Sequence, residues 1–123
     1  MKYLKHIVII CLTISFFSCS GPLTERNNNS TVEYQLDSPF QIQLEGDAEG
    51  INKWVLDSQI EPIITLTDKS TNFKGGKMLY NFNFKVNVDG EKNVVLVYQN
   101  EGKQLKMFQV KVIAGTMGRI LGD

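Results

Sequence analysis

The stretch Met78-Leu79-Tyr80-Asn81-Phe82-Asn83-Phe84-Lys85-Val86-Asn87-Val88 decides the fold class of this chain. Met78, Tyr80, Phe82, Phe84, Val86 and Val88 alternate with Leu79, Asn81, Asn83, Lys85 and Asn87. Successive side chains of a β-strand point to opposite faces, so the run predicts a strand with one buried and one wet face. A helix needs apolar residues three and four positions apart, and that spacing is missing.

Working outward, the same period returns on both sides. Asp89-Gly90 is a turn dipeptide, and Asn93 to Tyr98 resumes as an apolar, β-branched strand. Asn100-Glu101-Gly102-Lys103 turns the chain again, and Leu105 to Ile113 follows, with Phe108, Val110 and Val112 set against Gln109 and Lys111. Upstream, Phe40, Ile42 and Leu44 alternate with Gln41 and Gln43, while Lys53 to Leu56 and Ile63 to Thr67 read as short strands. Pro62 lacks an N–H donor and suits a strand start. Six or seven short strands separated by turns predict an all-β, antiparallel sandwich over residues 31–114. Trp54, the only tryptophan, directly precedes Val55 and Leu56 and is expected in the core. Residues 115–123 read as a loose C-terminal tail, in which Ile120 and Leu121 could dock.

The N-terminus carries a different pattern. Lys2, Lys5 and His6 form a short basic region, and Ile7 to Phe17 is apolar except for Thr13 and Ser15. Spanning a bilayer takes about 20 apolar residues, so this shorter run suits a signal peptide instead. Its ending, Phe16-Phe17-Ser18-Cys19, resembles a bacterial lipobox, in which small residues precede a cysteine that is acylated after cleavage. The expectation is a signal peptide over residues 1–18 and a membrane anchor through lipid on Cys19. The domain would then sit in the cell envelope, at the outer membrane of a two-membrane bacterium. Residues 19–30, with Gly21, Pro22 and Asn27-Asn28-Asn29, hold few apolar side chains to offset ordering entropy and are expected to form a flexible tether.

Composition narrows the function. The 123 residues allow one domain, and 13 basic residues balance 13 acidic ones, which leaves no basic footprint for nucleic acid. His6 and Cys11 both lie in the signal peptide, so the processed chain keeps no histidine and one cysteine, which is blocked by lipid. Zinc sites built from His and Cys, and Ser-His or Cys-His nucleophilic devices, are thereby excluded. Asp47 and Glu49 could be cast as paired carboxylates, but they lie on one short loop with no separate cleft for acid–base chemistry. The reading is a binding module that needs no cofactor or metal, and not an enzyme.

The order of landmarks then resembles a known family. Phe40-Gln41-Ile42-Gln43-Leu44 leads to a polar loop ending Gly50-Ile51, followed by Trp54. Gly75-Gly76, the Phe82-Asn83-Phe84 strand, Asp89-Gly90, the strand ending at Tyr98, and Phe108-Gln109-Val110-Lys111-Val112 come after it. Together they resemble the chagasin family of cysteine-peptidase inhibitors. The resemblance implies an immunoglobulin-like β-sandwich of about seven strands, whose loops at one end block the active-site cleft of a papain-like cysteine peptidase. It assigns peptidase contacts to Asp47, Ala48, Glu49, Gly50 and Ile51, to Phe73, Lys74, Gly75 and Gly76, and to Asn100, Glu101 and Gly102. The loops depart from the family's motifs: the first lacks the proline and hydroxyl pair, the second keeps two of three glycines, and the third keeps none of the Arg-Pro-aromatic signature. The alternative reading is an immunoglobulin-like envelope module that binds another protein or a glycan without inhibiting peptidases.

Overall fold

The structure is a computed structural model that describes residues 21–115. The expected signal peptide, Cys19 and the tail from residue 116 onward lie outside the described residues. Seven strands form two sheets: β1 (Ser30–Tyr34), β2 (Pro39–Gly46), β3 (Lys53–Leu56), β4 (Ile64–Lys74), β5 (Lys77–Val86), β6 (Gly90–Asn100) and β7 (Lys103–Ala114). One sheet has the order β1-β7-β6-β3 and the other β2-β5-β4.

The alternating pattern turns directly into the core. Phe82, Phe84 and Val86 of β5 are buried, as are Phe40, Ile42 and Leu44 of β2. From the other sheet, Val94, Leu96 and Tyr98 of β6 and Phe108, Val110 and Val112 of β7 meet them. Tyr34, Phe40 and Phe84 stack in series, with ring centroids 4.6 and 5.0 Å apart. Trp54 is buried as expected.

The wet face of β5 is more closely knit than alternation alone implies. Gln41 Nε2 donates to Asn83 Oδ1 at 3.0 Å, and Gln43 Nε2 to Asn81 Oδ1 at 2.8 Å. Asn81 Nδ2 continues to Asn72 Oδ1 at 2.9 Å, so an amide ladder crosses all three strands of this sheet.

Four expectations need correction. Residues 21–30 are not a free tether, because Leu23 is buried and pairs with Ile42 through two backbone hydrogen bonds. A 3-10 turn at Glu25–Asn27 and the side chains of Asn28 and Asn29, both bonded to Gln109, tie the segment down. One apolar side chain and a few hydrogen bonds, those to Gln109 reaching across about 80 residues of chain, are enough to dock a stretch whose composition is mostly polar. Second, the sandwich is not wholly antiparallel: β1 runs parallel to β7 at the sheet edge. The intervening strands supply the long crossover that parallel pairing needs. Third, Val88 is not on the buried face; β5 ends at Val86 and Val88 is exposed. Fourth, β4 does not end at Thr67 but continues to Lys74, after a bulge between Leu66 and Asp68.

Candidate functional site: three loops at one pole

Strand register fixes where the loops lie. Gly46, the last residue of β2, pairs with Met78, and Lys74 pairs with Lys77, so the β2–β3 loop and the β4–β5 turn share an end. Lys53, the first residue of β3, pairs with Gln99, one position from the Asn100–Lys103 pair that closes the β6–β7 turn. All three loops therefore stand at one pole of the sandwich. Asp47 of the first loop, Gly76 of the second and Lys106 beside the third line one shallow recess of about 450 Å³.

Each loop has local reasons for its shape. Asp47, Ala48, Glu49 and Gly50 make a β-turn closed by Gly50 N–H to Asp47 O at 3.1 Å, and Gly50 has φ of +70°. Ile51 follows, well exposed at 62%. Gly75 and Gly76, at φ +60° and +80°, form a two-residue hairpin turn whose twist matches that of the strands. Phe73 beside it is also 62% exposed, an apolar ring held out at the loop pole. Asn100 ends β6, and Glu101 and Gly102 make a second two-residue turn at φ +52° and +85°. The structure thus brings the three candidate clusters together.

What holds the first loop was not among the expected site residues. The Tyr98 hydroxyl accepts from Asp47 N–H and donates to Asp47 Oδ1, both at 2.8 Å. The Tyr80 hydroxyl donates to Asn52 O at 2.9 Å, and Trp54 Nε1–H to Glu45 O at 3.0 Å. Both ends of the loop are therefore pinned by rings rooted in the core, with Trp54 and Tyr98 packed 5.1 Å apart. Gly46 lets these rings close in, since a Cβ there would lie 2.7 Å from Tyr80 Cε1 and 3.2 Å from Tyr98 Cε1. A glycine at the end of an alternating strand is the sequence signal for such an approach.

Burial pushes the pKa of Tyr98 up, and the Asp47 carboxylate adds to the rise, while the Asp47 N–H and Asn52 pull the other way. Burial also raises Tyr80, helped by Tyr98 and Asp47. Both phenols therefore stay neutral and able to hydrogen-bond across the neutral range. Lys77 is raised by its hydrogen bond to Glu45, 2.9 Å away on the exposed rim. Lys106 Nζ sits 5.2 Å from the centre of the Tyr98 ring. Among the described residues, no group of three His, Cys, Asp or Glu side chains could hold a metal ion.

No family model and no curated protein matches the sequence. Solved structures do match. The cysteine protease inhibitor EhICP2 from Entamoeba histolytica superposes with a TM-score of 0.68 at 17% identity, covering 76% of this chain and 94% of that one. Amebosin superposes with a TM-score of 0.60 at 26% identity, over 76% of this chain and 95% of its own. PbICP-C, solved in complex with falcipain-2, gives 0.51 at 16% identity, over 76% and 91%. At such identities the likeness is one of architecture, and it extends over nearly the whole of each neighbour. The two sheets, their seven strands and the shared loop pole give this chain the immunoglobulin-like β-sandwich fold of the chagasin-like cysteine protease inhibitors.

Proposed function

We propose that this domain inhibits papain-like cysteine peptidases by laying its three-loop pole across the active-site cleft. The observation that carries the reading is the convergence of the three loops at one pole, with the first loop fixed at both ends by Tyr98 and Tyr80. A pre-formed surface avoids much of the ordering entropy that binding otherwise costs. Occlusion needs shape and no reactive group, which suits a site without histidine or thiol. The fold shared with EhICP2, and the solution of PbICP-C in complex with falcipain-2, support a peptidase as the partner.

Cys19 carries the lipid, and the anchored domain stands in the cell envelope at an outer membrane. Gly21 lies beside Pro39 and Phe84, and Gly115 bonds to Tyr34, so both ends of the described chain leave the pole opposite the loops. An anchor two residues before Gly21 would leave the loops pointing away from the membrane.

The test is an inhibition constant for the soluble domain against a panel of papain-like peptidases. Binding should persist when the peptidase thiol is blocked by a small group, since no covalent bond is involved. Absence of inhibition across the panel at micromolar concentration would sink this reading and favour an envelope module with another partner.

A further inference from the structure

On the flank of the sandwich, running up to the loop pole at Phe73, a strand edge stands open. The β4–β5 turn is a two-residue hairpin, so the closing pair Lys74–Lys77 is a hydrogen-bonded one. Counting back along the ladder, Asn72, Ser70 and Asp68 direct their backbone groups at β5. Lys69, Thr71 and Phe73 direct theirs away from it. The same alternation holds at the other edge of this sheet, where Gln41 and Gln43 turn outward to bond Leu23. Leu23 thus covers the β2 edge, while no strand among the described residues covers β4.

The three residues with free backbone groups stand on the core-side face of the sheet, because they pair with Phe82, Tyr80 and Met78, yet all three remain exposed. Below them the opposing strand β3 is only four residues long. What remains is a cleft of about 410 Å³ whose floor includes Trp54, Tyr80, Phe82 and Met78. Lys53 and Lys69 stand on its two walls, and no acidic residue lines it. Neither lysine makes an ion pair among the described residues.

We propose that this flank is a second binding surface, which takes an extended acidic–apolar peptide segment of a partner protein as an added strand on β4. Strand addition places alternate side chains of the guest over the cleft, where apolar ones cover Trp54, Tyr80 and Met78. Lys69 on this face sets the chemistry. A guest strand would take its ammonium out of water, and burying a charge is tolerable only when it is paired. The guest must therefore bring a carboxylate to face it, with apolar residues two and four positions away. A second copy of β4 does not meet this need. Paired antiparallel about Thr71, two copies would set Lys69 against Phe73 and leave both ammonium groups without a carboxylate.

The test is fluorescence anisotropy with a labelled peptide in which glutamate, leucine and leucine alternate with threonines, long enough to pair from Lys69 to Phe73. The wild-type domain should bind it saturably, and a peptide with lysine in place of the glutamate should not bind. Lys69→Glu should weaken binding about tenfold or more and should recover it for the lysine peptide, as a swapped charge pair does. Thr71→Pro removes an N–H that faces solvent, so the fold should survive by circular dichroism while peptide binding is lost. Equal binding by Lys69→Glu and wild type, no saturable binding by wild type, or sedimentation showing instead a dimer that Thr71→Pro dissolves would each overturn the proposal. Peptide binding and peptidase inhibition are read separately, so failure of one leaves the other standing.

Discussion

Gly46 is the smallest residue on which the loop pole depends. Its missing Cβ leaves room for the Tyr80 and Tyr98 rings, whose hydroxyls hold Asn52 and Asp47. Gly46→Ala should cost about 1–3 kcal/mol in urea denaturation, because overpacking there forces the rings or the strand to shift. Tyr98→Phe keeps the ring but leaves Asp47 N–H and Oδ1 without their partner. That should cost about 1–3 kcal/mol of stability and raise the inhibition constant, since the first loop loses one of its two pins. An unchanged inhibition constant in a folded Tyr98→Phe variant would separate this bond from function. Ile51 and Phe73, the apolar side chains most exposed at the pole, should each weaken inhibition when cut to alanine.

Among the elements, the β2-β5-β4 sheet shows two kinds of cohesion on its two faces. Phe82 is buried in the core, so Phe82→Ala should cost about 3–5 kcal/mol. Asn81 is also buried, but through the ladder from Gln43 to Asn72, and Asn81→Ala should cost about 1 kcal/mol. The segment before β1 belongs to the domain as well. Leu23→Ala should cost about 2–5 kcal/mol, measured by denaturant unfolding of the soluble domain. Were residues 21–30 a mere tether, that variant would be as stable as wild type. The Gly75-Gly76 turn has open space around both residues, so Gly76→Val acts through its positive φ alone. It should reshape the second loop and weaken inhibition more than it lowers stability.

For the whole molecule, the two tyrosines make stability fall at alkaline pH. Their folded pKa values lie above the ordinary 10.0, so the unfolded chain releases these protons first. The stability they carry is fully present below pH 10 and is lost as pH rises through the folded values. Denaturation midpoints measured with phenolate absorbance from neutral to strongly alkaline pH should show the fall. It should shrink when both residues are phenylalanine, leaving the part that the raised Lys77 carries. The polarity of the sandwich bears on anchoring in the same way. Because the described chain enters and leaves opposite the loops, lipidated protein in vesicles should inhibit a soluble peptidase as well as the soluble domain does. Cys19→Ala should abolish acylation, detected by mass spectrometry of the mature N-terminus.

Period-two alternation is a local property, so the sequence by itself determined that Phe82, Phe84, Ile42, Leu44, Val110 and Val112 face a core. The turn dipeptides likewise marked the ends of the strands. The order of those landmarks also carried the fold, and the candidate loops could be placed by their position between strands. Long-range register is a different matter. That Tyr98 reaches Asp47 across 51 residues of chain depends on which strands pair and on how the two sheets face each other. Docking of Leu23 against Ile42 was hidden for the same reason: a single apolar side chain in a polar stretch has no period to read. The open β4 edge over a short β3 is likewise a relation between two sheets. Only the tertiary structure decides it, because backbone groups free of partners are defined by what fails to lie beside them.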